Sequence, residues 1–201
     1  MKKIKTTRKN YLMDLMRTKD AILTFKEISL LWGETDMNFV KQKLNRYVKT
    51  GKIYSVRKGI YAKREIYDEF ELAAKIYKPS YISFETVLGR AGVIFQFYSR
   101  IFVASYLSRE ITVDGQTYSF RKIKDSILTD LTGIEMENNY YIASPERAFL
   151  DVVYLNKDYH FDNLSPLNWD KVYEILPVYG GNKRMEKKVK QYHEAVQKNL
   201  N

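Results

Sequence analysis

The sequence contains no cysteine. Disulfides, thiol nucleophiles and cysteine-ligated zinc are therefore excluded. Histidine is scarce as well, with only His160 and His193, far apart and in polar surroundings. Both are expected at the surface, and a metal centre has little to be built from. No stretch approaches the ~20 consecutive apolar residues of a membrane span, and the N-terminus lacks the apolar segment of a secretory signal. The expectation is a cytoplasmic protein with no membrane partner. Catalytic signatures are missing too: there is no glycine-rich phosphate loop, no zinc motif, and no serine beside a histidine. The acidic pairs Glu135 with Glu137 and Asp151 with Asp158 come without a supporting lysine pattern. No enzyme activity, metal or cofactor is expected.

What is present argues for a folded chain. Hydrophobic residues make up 45% and aromatics 14% of 201 residues, enough for one larger domain or two small ones with a real core. The net charge of +10 is unevenly placed. Residues 1–64 hold 17 lysines and arginines against 5 acidic residues, a net +12, while 65–201 hold 17 against 19, a net −2. A positive excess confined to the first third points to an anionic partner for one domain, with nucleic acid leading. The expected domains are 1–64 and 65–201, joined near Lys63 to Ile66.

The stretch from Asp36 to Ala62 carries the strongest pattern. Val40, Leu44, Tyr47 and Val48 recur at helical spacing and form an apolar face. Asn38, Gln42, Asn45, Arg46 and Lys49 fall opposite, with Lys41 at the boundary, and their amides and guanidinium suit base edges. Gly51 is placed as the helix stop. A strand from Ile53, the basic turn Arg57-Lys58-Gly59 and a return through Ile60 to Ala62 form a short ribbon. Upstream, Leu12, Leu15 and Met16 predict a first helix, and Ile22-Leu23 a possible short strand. Thr24 and Glu27 form a capping box opening a helix over Phe25 to Trp32. Helix, short helix, turn, longer helix and basic ribbon in this order predict a winged helix-turn-helix. Met1 to Asn10 reads as a basic arm for phosphate or minor groove, or as a frayed end.

Beyond residue 65 the pattern is mixed α/β, so the fold class is α+β. Tyr67 to Tyr77 is predicted helical, with Phe70, Ala73, Ala74 and Tyr77 inward. Ser83 is predicted to cap a helix reaching Ala91. Strands are expected at Ile101 to Tyr106, at Ile111 to Val113 and Thr117 to Ile123 around the Asp114-Gly115 turn, and at Asp130 to Ile134 and Asn139 to Ile142. Ser144 and Pro145 open a helix burying Ala148, Phe149, Val152 and Val153. Glu146, Arg147 and Asp151 at helical spacing suggest a structural ion-pair network. A helix over Trp169 to Leu176 is stopped by Pro177 and by Gly180-Gly181, and a last one from Lys183 has Met185, Val189, Tyr192 and Val196 inward. Its lysines and arginine (Lys183, Arg184, Lys187, Lys188, Lys190) read as a solvated face.

Three stretches, KTGKIYSVRKGIYA at 49–62, YISFETVL at 81–88 and SPERAFLD at 144–151, together resemble the AbiEi antitoxins. The similarity spans roughly Tyr11 to Leu176. It implies a winged helix-turn-helix that represses its own promoter, and a C-terminal domain that counteracts a nucleotidyltransferase-like toxin. Carried over by position, Lys41, Gln42, Asn45, Arg46, Arg57 and Lys58 match the DNA-facing helix and wing. Ser83, Glu85, Ser144, Glu146, Arg147 and Asp151 match the pattern of the C-terminal part. Val87 departs from the smaller residue of the family, and the basic last helix has no counterpart in it.

The expected function is thus an autorepressing antitoxin acting on double-stranded promoter DNA. Two other readings stand beside it: a winged helix that contacts protein or RNA instead, and a regulator whose second domain senses a small molecule within its tyrosine-rich part.

Overall fold

The structure is a computed structural model that describes residues 9–199. It divides into two compact units, Met1–Asp68 and Glu69–Asn201. Most of the basic arm at Met1 to Asn10 lies outside the described residues.

The first unit runs α1 (Tyr11–Arg17), β1 (Ile22–Thr24), α2 (Phe25–Trp32), α3 (Met37–Lys49), β2 (Tyr54–Arg57) and β3 (Ile60–Ala62). Each helix starts on a side chain that takes an otherwise unpaired amide: Asn10 for α1, Thr24 for α2, and Asp36 for α3, which accepts from Asn38 and Phe39. The Thr24–Glu27 box closes in both directions, with the Glu27 carboxylate receiving the Thr24 amide at 2.8 Å. Gly33 ends α2 at φ +61°, in the left-handed region open to glycine. The three strands pair antiparallel in the order β1-β3-β2, with an irregular register between Ser55 and Arg57. Ile53 precedes the strand it was expected to open, and joins the core with Leu15, Leu23, Ile28, Trp32, Val40 and Leu44. Trp32 donates its indole N–H to the Tyr11 carbonyl at 3.0 Å and meets the Tyr11 ring edge-on at 5.1 Å. This satisfies its one polar atom.

The Tyr11 hydroxyl also donates to Glu34 at 2.6 Å, and that bond lowers the Glu34 carboxyl below its ordinary value of 4.5. A lowered acid stabilises the fold above its unfolded value and loses that contribution as pH falls through its folded one. Melting of the first unit should therefore weaken below about pH 4.5. Glu34→Gln should flatten this slope, and an unchanged slope in thermal melts at successive pH values would refute the assignment.

The second unit contains α4 (Glu69–Ile76), β4 (Ser80–Ile82), α5 (Glu85–Arg90), β5 (Arg100–Ser105), β6 (Arg109–Val113) and β7 (Gln116–Lys122). After these come α6 (Asp125–Leu128), β8 (Ile134–Glu137), β9 (Tyr140–Ala143), α7 (Pro145–Leu155), α8 (Trp169–Ile175) and α9 (Lys183–Asn199). One six-stranded sheet has the order β6-β7-β5-β4-β9-β8. It is mixed: β5 runs parallel to β7 and β4 parallel to β9, while the other neighbours are antiparallel. Asp114 and Gly115 both take positive φ (48° and 84°), as a tight hairpin between β6 and β7 needs.

Four sequence-based expectations are corrected here. Ser83 caps nothing. The N-cap of α5 is Phe84 at φ 56°, because the Ser83 hydroxyl is committed to the core. Asp130 to Gly133 is a turn rather than a strand: Asp130 accepts the Thr132 amide at 2.9 Å, and Gly133 sits at φ +72° with the Ile175 side chain 2.6 Å from where a Cβ would be. In α4 the buried positions are Glu71, Leu72, Ala73 and Lys75, so of the expected inward residues Ala73 is buried while Phe70, Ala74 and Tyr77 are half-buried. After α8 the chain continues through Pro177 as a 3-10 turn, Leu176–Tyr179, which delivers Tyr179 to the interior. Proline tolerates the first turn of a helix, so of the two expected stops it is Gly180, at φ 71°, that ends the helical path.

Candidate nucleic-acid interface and the buried network

The helix α3 is amphipathic as its spacing predicts. Val40 and Leu44 are fully buried, Tyr47 and Val48 half-buried. Asn38, Lys41, Gln42, Asn45, Arg46 and Lys49 are all exposed, so one face offers two asparagines, a glutamine, two lysines and an arginine to solvent. Lys43 sits at the edge of that face, its ammonium 5.0 Å from the Tyr11 ring centre and 5.3 Å from that of Phe39. The β2–β3 turn holds Arg57, half-buried, and Lys58, exposed. Its geometry is anchored: Gly59 at φ 78° accepts the Phe25 amide at 2.7 Å, tying the tip of the ribbon to the start of α2. Lys52 and Tyr54, just after the helix, are exposed as well.

The six positions singled out in the second unit separate into three roles. Ser83, Arg147 and Asp151 meet in one buried network. The Asp151 carboxylate accepts from the hydroxyls of Ser83 at 2.7 Å, Tyr81 at 3.0 Å and Tyr179 at 2.7 Å. Arg147 lies with its Nε 3.6 Å from Asp151 Oδ1, and both side chains have no solvent exposure. Its other nitrogens donate to the carbonyls of Thr132 at 2.8 Å and Ile127 at 2.7 Å, and to the Tyr81 hydroxyl. Burial pushes the Asp151 carboxyl above its ordinary value, opposed by Arg147 and the three hydroxyl donors. Against the cost of its own burial, the guanidinium is held charged by the Asp151 carboxylate and by its hydrogen bond to the Tyr81 hydroxyl.

Glu85 is a separate pair: Arg121 Nη1 donates to both its oxygens, at 2.8 and 3.0 Å, with the guanidinium 4.2 Å from the Phe102 ring centre. The planar guanidinium over the Phe102 and Phe84 rings is what a lysine would not reproduce. Ser144 and Glu146 secure chain ends, Ser144 capping α7 at the Arg147 amide and Glu146 accepting the Asn168 amide at 3.1 Å. Thus Glu146 stands apart from the ion pair it was grouped with. Tyr81 and Tyr179 were missed. Tyr81 carried a usable signal, since residues two apart on a strand share a side and Ser83 follows it by two. Tyr179 carried none.

Among the described residues no group of three or more His, Cys, Asp or Glu is placed to hold a metal ion. Asp158 is bound to Lys188 at 2.9 Å, and His193 stacks on Trp169 at 4.4 Å and is half-buried rather than exposed. On α9, Lys183 and Lys190 face Glu186 and Glu194, and Arg184 donates to the carbonyl of Tyr154. Much of its charge is thereby matched within the unit.

The chain is a mixed α+β protein, and among its described residues no helix is long and apolar enough to cross a membrane. No family model and no curated protein matches the chain. Among solved structures, the RV2827C protein from Mycobacterium tuberculosis is similar over 89% of this chain and 78% of that one, at 12% sequence identity and a TM-score of 0.45.

Proposed function

We propose that the first unit is a winged helix-turn-helix that binds double-stranded DNA, and that the chain is an antitoxin-type repressor of its own promoter. The observation that carries this reading is the exposed face of α3, where amide and guanidinium side chains line one side of a helix whose other side is core. In this reading α3 enters a major groove, with Asn38, Gln42, Asn45 and Arg46 at base edges. Lys41, Lys49, Arg57 and Lys58 contact phosphates. The test is binding to DNA upstream of the gene, in a salt series, against a scrambled sequence of equal length. Selective binding that falls steeply with salt supports the reading; equal weak binding to both sequences sinks it.

A protein partner is the second reading, and it has its own observation. Phe95 and Phe97 are 71% and 89% exposed on the loop between α5 and β5 of the second unit. Large exposed aromatics side by side mark protein contacts more often than chance. In a toxin–antitoxin pair this loop would seat the toxin. Replacing both phenylalanines by serine should leave the melting temperature unchanged and weaken co-purification with the neighbouring gene product about tenfold or more. Unaltered co-purification would move the contact elsewhere.

A further inference from the structure

The six-stranded sheet ends on β8, which pairs with β9 on one side and with no other strand among the described residues. The two-residue turn at Asn138 and Asn139 makes Glu137 and Tyr140 the closing, hydrogen-bonded pair of this hairpin. Pairs alternate along an antiparallel ladder, so Met136 is out of that exchange and turns its N–H and C=O to the open side. β8 therefore offers backbone groups to another chain.

Its side chains divide by face. Met136 stands opposite Tyr141, and Ile134 opposite Ala143, on one face, while Glu135 and Glu137 are on the other. On the apolar face Met136 is 66% exposed. Ile134 and Tyr141 line a hollow of about 550 Å³ together with Leu128 and Leu131, the last of these 57% exposed. Exposed apolar surface beside an open sheet edge marks a site of association.

On the other face both carboxylates are exposed, and neither pairs with a cation among the described residues. They border a second hollow whose cations are Arg90 and Lys171, and Arg90 holds its guanidinium over the Phe70 ring at 5.4 Å instead. At the opposite edge of the sheet, by contrast, Glu110 of β6 is bound by Arg100 at 2.7 Å. A second copy of β8 laid antiparallel on the first would set these glutamates against their own counterparts, which is destabilising. A basic segment meets them favourably.

We infer that β8 takes an extended segment of a partner protein as an additional strand, one in which lysine or arginine alternates with apolar residues. Its basic side chains meet Glu135 and Glu137, and its apolar ones lie beside Met136 and Ile134. The inference concerns a different element from the loop of Phe95 and Phe97 and is independent of DNA binding.

The test uses the full chain, isotope-labelled, and three capped peptides of one length. They are Lys-Val-Lys-Val-Lys, Glu-Val-Glu-Val-Glu, and the first of these N-methylated at every residue. The basic peptide should shift the amides of β8 along one saturable curve, and the Met136 amide should gain protection from hydrogen exchange. The acidic peptide should bind about tenfold more weakly, since two cross-strand charge pairs turn from attractive to repulsive. The N-methylated peptide keeps the charges but cannot donate from its backbone, and it should not bind. Replacing both glutamates, Glu135→Lys with Glu137→Lys, should reverse the preference between the acidic and basic peptides. Met136→Pro removes the outward N–H, a change that an edge strand tolerates, and should abolish binding of the basic peptide. The three-peptide comparison needs only the unaltered protein, so it stays decisive if a variant folds poorly. Equal binding of the acidic and basic peptides, retained binding of the N-methylated one, or no saturation would overturn the inference. So would a concentration-dependent dimer that Met136→Pro abolishes, because a second copy would then be the occupant.

Discussion

Asp151→Ala should lower the unfolding free energy of the second unit by about 3–5 kcal/mol, the cost of leaving one member of a buried ion pair behind. The reason is a count of what the alanine abandons. Three buried hydroxyls, those of Tyr81, Ser83 and Tyr179, lose their acceptor, and a wholly buried Arg147 loses its counter-charge. The upward push of burial on the Asp151 carboxyl does not make the group dispensable, because Arg147 stays charged whatever Asp151 does. The melting temperature should fall by on the order of 10 °C or more for a unit of this size. The chain has two tryptophans, Trp32 in the first unit and Trp169 in the second, so Trp169 fluorescence in a Trp32→Phe background follows the second unit alone. Adding Arg147→Met to the Asp151 variant should cost less than the two losses summed, since the stranded guanidinium is gone. Strict additivity in urea titrations would show that the two residues act separately.

The second large effect is expected at α3. Asn45→Ala and Arg46→Ala should each weaken binding to the upstream DNA by about 1–3 kcal/mol, roughly ten- to a hundredfold, while scrambled DNA changes less for Asn45 than for Arg46. An amide at a base edge discriminates between sequences, whereas a guanidinium also attracts phosphate through its charge. Lys58→Ala should weaken both DNAs alike and reduce the slope of log affinity against log salt by about one. All three positions are exposed, so the substitutions should leave folding intact. Anisotropy titrations on both DNAs at several salt concentrations separate the two behaviours. If Asn45 and Lys58 variants lose affinity in the same proportion on both DNAs, α3 does not read sequence.

Local patterns were legible and distant partnerships were not. The Thr24–Glu27 box, the Asp36 cap, the Asp114-Gly115 turn and the Ser144-Pro145 start all depend on neighbours within four residues, and each took its expected place. The face of α3 was readable because a helix with one buried side repeats every three or four residues. Ser83 was misread as a cap because a serine before a helix has that use locally; the acceptor it prefers lies 68 residues away. Tyr179 was invisible for the same reason, being carried inward by a 3-10 turn through a proline that reads as a stop. In α4 the burial of Glu71 and Lys75 defied a pattern that places charge outward.

The shortest strand of the large sheet has a kinetic consequence. β4, only three residues long, joins β5 to β9, and its registered partner in β9 is the single pair Ile82↔Ile142. Closing that seam brings together chain ends some sixty residues apart, after the intervening hairpin has formed. The buried contacts of Tyr81 and Ser83 with Asp151 span 70 and 68 residues and bridge the same seam. The second unit should therefore acquire its stability late and in one step. The first unit, whose sheet closes over a shorter loop and which leaves the ribosome earlier, should already be folded and available to partners while the rest of the chain is still searching.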